Sequence, residues 1–414
     1  MKIRIPDFCL VAMVGVSGSG KSSFAESHFA KSEIVAPEPG RGLAALAEVI
    51  EPRLQRRCLT VVDAANVHEE ERASLIGIAK AHYAQAVAIV LTPGKNELKP
   101  TADADLVHAQ KEALRQGLPH LNREGFRGVH YLRSRAEMDE ASIERTRLRT
   151  DLRQEQGPFD IVGDVHGCAD ELIRLLQKLG YSVELRGEGA KRHAVSRAPA
   201  GRRVVFVGDL VDRGPNSPDV LRIVMHMVGE GQALTVPGNH DNKLLRWMNG
   251  RKVKLSHGLA ETVSQLEREP DSFREEVHDF IDGLASHVWL ADGRLAVAHA
   301  GIKEEMMGRV SGAVREFCLY GETSGETDEF GLPIRYHWAA EYRGETAIVY
   351  GHTPVPQAEW LNNTLCIDTG CVFGGNLTAL RWPEREIVSV PAARVYSPAI
   401  RPFAHPPLRP GYVP

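Results

Sequence analysis

The 414 residues include 50 lysines and arginines and 54 aspartates and glutamates, a formal net charge of −4, and 43% of them are hydrophobic. These proportions are typical of a globular protein of two or three domains and exclude a disordered, collagen-like or coiled-coil chain. No apolar run approaches the roughly 18 residues of a membrane helix, and the charge excludes a general polyanion binder, so we expect a cytoplasmic protein without a membrane partner.

The first 150 residues alternate strand-like runs with helical patterns. In chain order these are 9–14, Leu43–Arg57, 59–63, Glu69–Tyr83, 87–91, Ala104–Arg115 and 129–132. Such alternation is typical of a parallel α/β sheet. The charged segment from Ala136 to about Glu155 predicts a further helix, which Gly157-Pro158 ends. We therefore predict a first domain over residues 1–150.

A glycine-rich motif follows the first of these strands. Gly15, Gly18, Gly20, Lys21 and Ser22 satisfy G-x-x-x-x-G-K-[ST] between a strand and a helix. In that pattern backbone N–H groups surround a β-phosphate, the lysine reaches the β- and γ-phosphates, and the serine holds Mg²⁺. The motif predicts a P-loop that binds ATP with Mg²⁺, the alternative being a glycine-rich turn.

The second domain is predicted over residues 158–395. Strands precede helices at first: after strand Phe159–Val162 come strand Val204–Val207 with helix Pro218–Gly229, and strand Leu234–Val236 with helix His240–Met248. The strands of a second sheet are predicted at Leu295–His299, Ala347–Tyr350, Thr364–Ile367 and Leu377–Arg381. This order favours an α/β sandwich. Residues 396–414 contain six prolines without periodicity and predict a Pro-rich tail.

Five blocks of metal-ligating residue types follow strands of the second domain: Gly-Asp164-Val-His166-Gly, Gly-Asp209-Leu-Val-Asp212-Arg213-Gly, Gly-Asn239-His240-Asp241, Ala-His299-Ala-Gly and Gly-His352-Thr-Pro. Strand ends of one sheet converge in space, and carboxylate and imidazole donors suit Mn²⁺, Fe or Zn²⁺. We expect two divalent ions, with Mn²⁺ the leading candidate, that activate hydroxide for attack on phosphorus. The predicted ligands are Asp209 as the bridge, Asp164 and His166 on one ion, and Asn239, His299 and His352 on the other.

The five blocks resemble the calcineurin-like binuclear metallophosphoesterases. That resemblance implies that His240, paired with Asp212, protonates the leaving alkoxide and that Arg213 takes up charge on the phosphate. Arg343 would supply a second phosphate-binding arginine, unless it lies on a surface loop.

The order of the P-loop and phosphoesterase motifs resembles the first two modules of bacterial polynucleotide kinase-phosphatase, over residues 9–150 and 158–395. It implies an end-healing enzyme that removes 2′,3′-cyclic, 2′- or 3′-phosphate from RNA or DNA ends and phosphorylates 5′-hydroxyls. The family's ligase module has no counterpart after His352, so sealing would need a separate ligase.

The same resemblance assigns kinase roles. Glu38 would accept the proton of the 5′-hydroxyl, Arg41 would hold the acceptor phosphate, and Asp63, unless it only caps a helix, would lie near that acceptor. The family has Asp where Glu38 stands, and it has lid arginines where residues 91–114 contain none. We therefore expect phosphate transfer to be weak.

Two other functions are compatible with the same motifs. The phosphoesterase blocks also occur in Ser/Thr protein phosphatases and in dinucleoside tetraphosphatases. In a second alternative, the P-loop domain only binds nucleotide and regulates the phosphatase. The sequence makes no prediction of oligomeric state.

Overall fold

A computed structural model of the chain describes residues 1–38, 43–100, 103–403 and 407–408. The chain forms two compact units, one of residues 1–148 with 309–311 and one of residues 149–308 with 312–414. Among the described helices, none has the length and apolar character needed to cross a membrane.

The first unit contains a parallel sheet covered by helices. Its described strands and helices are β1 (Lys2–Pro6), β2 (Cys9–Val14), α1 (Lys21–His28), β3 (Ile34–Val35), α2 (Leu43–Gln55), β4 (Thr60–Val62), α3 (Glu69–Ala81), β5 (Gln85–Leu91), α4 (Ala104–Gly117), β6 (Gly128–Leu132), α5 (Arg135–Asp139) and β7 (Ser142–Thr146). The sheet order is β3-β4-β2-β5-β6, with every pair parallel. The parallel α/β arrangement expected for these residues is confirmed.

The predicted helix from Ala136 to Glu155 is wrong. Helix α5 ends at Asp139, and β7 then pairs in parallel with β1 at the opposite end of this unit's sequence. Ile3 and Ile5 are fully buried and Ile143 packs against the same core. Burial of these β-branched residues across a long-range pairing overrides the helical preference of the charged residues around them.

The described residues of the second unit form two six-stranded sheets and two two-stranded ones. Its described elements are β8 (Asp151–Leu152), β9 (Phe159–Val162), α6 (Ala169–Lys178), β10 (Ser182–Arg186), β11 (His193–Arg197), β12 (Arg203–Phe206), α7 (Ser217–Gly229), β13 (Ala233–Thr235), α8 (Asn239–Met248), α9 (Leu259–Leu266), α10 (Asp271–Asp282), β14 (His287–Leu290), β15 (Leu295–Ala298), α11 (Gly312–Tyr320), β16 (Thr323–Thr327), β17 (Pro333–Arg335), α12 (Trp338–Glu341), β18 (Ala347–Tyr350), β19 (Trp360–Leu361), β20 (Thr364–Cys366), β21 (Asp368–Thr369), β22 (Asn376–Trp382) and β23 (Glu386–Pro391). Besides the two-stranded sheets β10-β11 and β16-β17, one six-stranded sheet runs β13-β12-β9-β22-β21 with β23 beside β22, and the other runs β19-β20-β18-β15-β14-β8.

Side-chain alternation assembles these two sheets. In β12, Val204 and Phe206 face a core that includes residues of α6 and α7, whereas Val205 packs in a second core with Val297 and Val349 of the other sheet. A strand with both faces buried in this way reads as a continuous apolar run. The mixed α/β architecture with two main sheets is therefore as expected, except that the strand Leu377–Arg381, predicted in the second sheet, lies within β22 and pairs with β9 in the first. The strands β9, β12, β13, β15 and β18 lead into loops that carry the predicted metal ligands.

Candidate active site

The predicted metal ligands stand at the carboxyl ends of strands. Asp164 follows β9, Asp209 follows β12, His299 follows β15 and His352 follows β18, while Asn239 begins α8, the helix that follows β13. Asp209 and His352 have left-handed φ angles of 46° and 74°. Such angles are costly for residues other than glycine and are concentrated at functional sites, where the surrounding structure compensates for them.

Asp209 lies between two groups of buried or half-buried histidines. Its Oδ2 is 3.5 Å from His166 Nε2 and its Oδ1 is 3.4 Å from His299 Nε2. Two sets of potential ligand atoms include it, His166-Asp209-His240 and Asp209-His299-His352, and the atoms of each set lie within 4.8 Å of one another. This geometry suits a carboxylate that bridges two cations.

Backbone carbonyls orient the histidines. His166 Nδ1 lies 2.8 Å from Val211 O, and His299 Nδ1 lies 3.1 Å from Val207 O. Donation from Nδ1 leaves the Nε2 lone pair directed at the cluster, which is the usual orienting device in metal sites. Asn239 Oδ1 is 2.9 Å from His299 Nε2, so the amide oxygen and the imidazole converge on the same position.

Unpaired buried atoms indicate that the site fits divalent ions. Within the described residues, Asp164 Oδ1 and His352 Nε2 are buried without a hydrogen-bond partner. Burial also raises the pKa of Asp209 to about 8 and that of Asp164 well above its ordinary value. A cluster of buried carboxylates and neutral imidazoles needs compensating positive charge, and Mn²⁺, Fe or Zn²⁺ would provide it through these donors.

The structure adds one carboxylate that sequence reasoning missed, Asp368. It begins β21, is 4% exposed, and lies close enough to Asp164 for its charge to help raise the pKa of Asp164. Burial raises the pKa of Asp368 to about 6. Its position after the predicted strand Thr364–Ile367 was the available signal, the same signal that identified Asp164 and Asp209.

The predicted acid pair is formed. His240 Nδ1 lies 2.6 Å from Asp212 Oδ2, and His240 is 4% exposed. Burial raises the pKa of Asp212 to about 7 and lowers that of His240. Arg213 Nη1 donates to His166 Nε2 over 2.6 Å, which brings a guanidinium to the metal cluster.

The second arginine at the site is Arg335 rather than Arg343. Arg343 is exposed, and its guanidinium donates to Ala340 O and Tyr342 O. Arg335, at the end of β17, lines a cleft of about 370 Å³ together with Asp209, His352 and Arg213. Burial lowers the pKa of Arg335 to about 10 and nearby Asp209 opposes that shift, so the guanidinium remains charged beside the cluster.

The predicted P-loop residues of the first unit lie between strand β2 and helix α1. Gly18 and Gly20 adopt φ angles of 81° and 96°, and α1 begins at Lys21. Lys21 Nζ donates to Gly15 O and Val16 O, over 2.7 and 2.9 Å. Burial lowers the pKa of Lys21 to about 8, against the opposing effect of Asp63.

The remaining kinase predictions are brought together only in part. Asp63 directly follows β4 and lies close enough to Lys21 to oppose the lowering of its pKa, and Ser22 is exposed at the start of α1. Glu38 is exposed, and Arg41 lies outside the described residues. A Cβ built on Gly20 would lie 2.7 Å from Arg135 Nη1, so α5 brings to this loop an arginine that sequence reasoning missed.

The calcineurin-like phosphoesterase family pattern matches residues 157–380, more than half of the chain. A bis(5′-nucleosyl)-tetraphosphatase PrpE (asymmetrical) from Anoxybacillus flavithermus is 45% identical over 250 residues, which are 59% of this chain and 99% of that protein. The protein of the same name from Halalkalibacterium halodurans is 48% identical over 238 residues, 56% of this chain and 94% of that protein.

A crystal structure of a candidate diadenosine tetraphosphatase is 26% identical and covers 60% of this chain and 99% of its own, with a TM-score of 0.43. The extent of the family match and the near-complete coverage of the relatives agree with the cluster at the strand ends. The chain therefore belongs to the calcineurin-like phosphoesterase family and is a metallophosphoesterase.

Proposed function

We propose that the second unit hydrolyses dinucleoside tetraphosphates, splitting each with one water molecule into a nucleoside triphosphate and a nucleoside monophosphate. The supporting observation is the cleft of about 370 Å³ in which Asp209 and His352 lie beside Arg213 and Arg335. A polyphosphate chain needs several cations along its length, and this cleft offers them next to the hydrolytic centre. Relatives 45% and 48% identical bear this activity in their names.

In this proposal, side chains of the cleft bind the phosphate and donate a proton to the leaving group. Arg213 and Arg335 hold phosphate oxygens and stabilise the charge that develops on the attacked phosphorus. His240, oriented by Asp212, donates a proton to the leaving oxygen when that oxygen needs one. Two bound divalent ions would supply the nucleophilic hydroxide and charge neutralisation, held by the Asp209 cluster.

The relatives favour this function over the RNA end-healing reading. RNA end healing remains a second candidate, supported by the order of the P-loop and phosphoesterase motifs. Diadenosine tetraphosphate, a 2′,3′-cyclic nucleotide, an RNA 3′-phosphate and a phosphopeptide should be compared with Mn²⁺ present, and the products separated by chromatography. We expect the highest kcat/KM for the tetraphosphate, with ATP and AMP as products. Higher kcat/KM for either RNA-type substrate would favour end healing, and Asp209→Asn is the inactive control.

We also propose that the first unit binds ATP with Mg²⁺ at the loop from Gly15 to Ser22. Support comes from buried Lys21, and from Ser19, whose Oγ is buried without a hydrogen-bond partner among the described residues. Arg135 supplies a further cation near Gly20. Calorimetry should detect ATP binding that Lys21→Ala abolishes. Transfer of γ-phosphate to a 5′-hydroxyl RNA should be slow, because Glu38 places its carboxylate one methylene further out than the Asp of the family.

A further inference from the structure

The C-terminal segment Ser397–Phe403 lines the same cleft as the metal-ligating residues. Residues from Ser397 to Phe403 appear in the cleft wall, together with Phe373 and with Leu332 from the turn between β16 and β17. The wall therefore combines aromatic and aliphatic surface from this segment with the guanidinium groups of Arg213 and Arg335. A site with both characters fits a ligand that has an apolar, planar part and a phosphate part.

Specific contacts hold this segment in place. Ser397 N donates to Val372 O over 3.0 Å, and Arg401 Nη1 donates to Asp328 Oδ2 over 2.8 Å. The ring of Phe403 lies 5.9 Å from that of Phe373 in an edge-to-face arrangement. Residue 370 is glycine, and a Cβ there would come within 2.5 Å of the Phe403 ring. The close approach of Phe403 thus depends on the absence of a side chain at position 370.

Arg335 connects this wall to the metal cluster. Its Nε donates to Tyr320 O over 3.3 Å. Its two Nη atoms have no hydrogen-bond partner among the described residues, and the residue is half-buried. A half-buried guanidinium with free donors favours an anionic partner, because phosphate oxygens can accept from both Nη groups at once.

We propose that Phe373 and the segment Ser397–Phe403 bind the nucleoside of the substrate while Arg335 binds the adjoining phosphate. The proposal rests on the proposed function, and it identifies the substrate class as nucleotides rather than phosphoproteins. The base contacts the aromatic side of the cleft, and the scissile phosphate lies at the Asp209 cluster. Asp328, which does not line the cleft, positions the segment through its ion pair with Arg401.

The test compares two inhibitors of nitrophenyl phosphate hydrolysis, AMP and ribose 5-phosphate, which share a phosphate and ribose and differ in the base. Stacking on aromatic side chains is worth about 1–3 kcal/mol per base, so AMP should inhibit at least about fivefold more tightly than ribose 5-phosphate. The assay uses the full chain with Mn²⁺. Repeating it in Lys21→Ala removes any contribution of nucleotide bound to the first unit.

Phe403→Ala should reduce this preference for AMP to about twofold or less. Asp328→Ala, which keeps every aromatic ring but releases the anchor, should reduce it in the same direction. Leu361→Ala is the matched control, since it removes a large apolar side chain that is 37% exposed and does not line the cleft.

Equal inhibition by AMP and ribose 5-phosphate in the unaltered chain would overturn the proposal. So would an unchanged preference in both Phe403→Ala and Asp328→Ala. Faster hydrolysis of every substrate in those variants, with the preference intact, would instead make the segment an obstruction. None of these outcomes depends on cleavage of a tetraphosphate, so failure of the proposed function is detected separately.

Discussion

Replacement of His240 by alanine should slow hydrolysis to a degree that depends on how basic the leaving group is. His240 is 4% exposed and its Nδ1 is held 2.6 Å from Asp212, so bulk water cannot readily replace it as a proton donor. General acid catalysis contributes about 10²–10⁴ in rate, or about 3–5 kcal/mol at 1.36 kcal/mol per tenfold. That full factor is expected only when the departing oxygen is a basic alkoxide.

We expect His240→Ala to lower kcat for a ribose 3′-phosphate by about 10²–10⁴. Nitrophenolate and a nucleotide phosphate leave without a proton at neutral pH, so hydrolysis of nitrophenyl phosphate and of diadenosine tetraphosphate should fall by about tenfold at most. Steady-state kinetics on all three substrates, at saturating Mn²⁺, measure the difference. Asp212→Asn should follow the same ranking with smaller losses. Equal losses on all three substrates would refute the acid role and assign His240 to positioning of the metal cluster.

Three further outcomes follow from the same geometry. Asp209→Ala should remove at least about 95% of phosphoesterase activity and weaken the Mn²⁺ binding measured by calorimetry, because this one carboxylate belongs to both ligand sets. Retention of more than about 5% of the activity would contradict the bridging role. Burial raises the pKa of Asp209 to about 8, so in chelated protein Asp209 contributes stability that is lost as pH rises from about 4 towards about 8, and Asp209→Asn should remove that contribution to the pH dependence of Tm. Mn²⁺ at a hundredfold its Kd should add about 2.7 kcal/mol, or about 5–10 °C, and an identical pH dependence of Tm in the chelated parent and Asp209→Asn would be inconsistent with a buried Asp209 carboxyl group. Lys21, with its pKa lowered to about 8, must be protonated to pair with phosphate, so ATP affinity should decline as pH rises above about 8; constant affinity up to about pH 9.5 would exclude Lys21 from the contact.

The local sequence pattern was sufficient to predict those parts of the molecule in which a buried strand is followed closely by a polar residue. The parallel sheet of the first unit, its glycine-rich loop and the predicted ligands from Asp164 to His352 all follow that rule. In each case a buried apolar run specifies the strand, and the first polar residue after it stands at the sheet's carboxyl edge. The family also followed from sequence, because five such blocks in order are specific in combination.

Only the tertiary structure decided the features that depend on residues far apart in the chain. The pairing of β1 with β7 replaced a predicted helix, because burial of Ile143 in the core opposes the local preference. Asp368 joined Asp164, and Arg335 rather than Arg343 reached the cleft. The first described residues of the proline-rich segment proved to line the same cleft. Composition and periodicity describe each segment against its own neighbours, whereas burial, charge pairing and cleft shape arise from contacts between segments that the sequence does not place side by side.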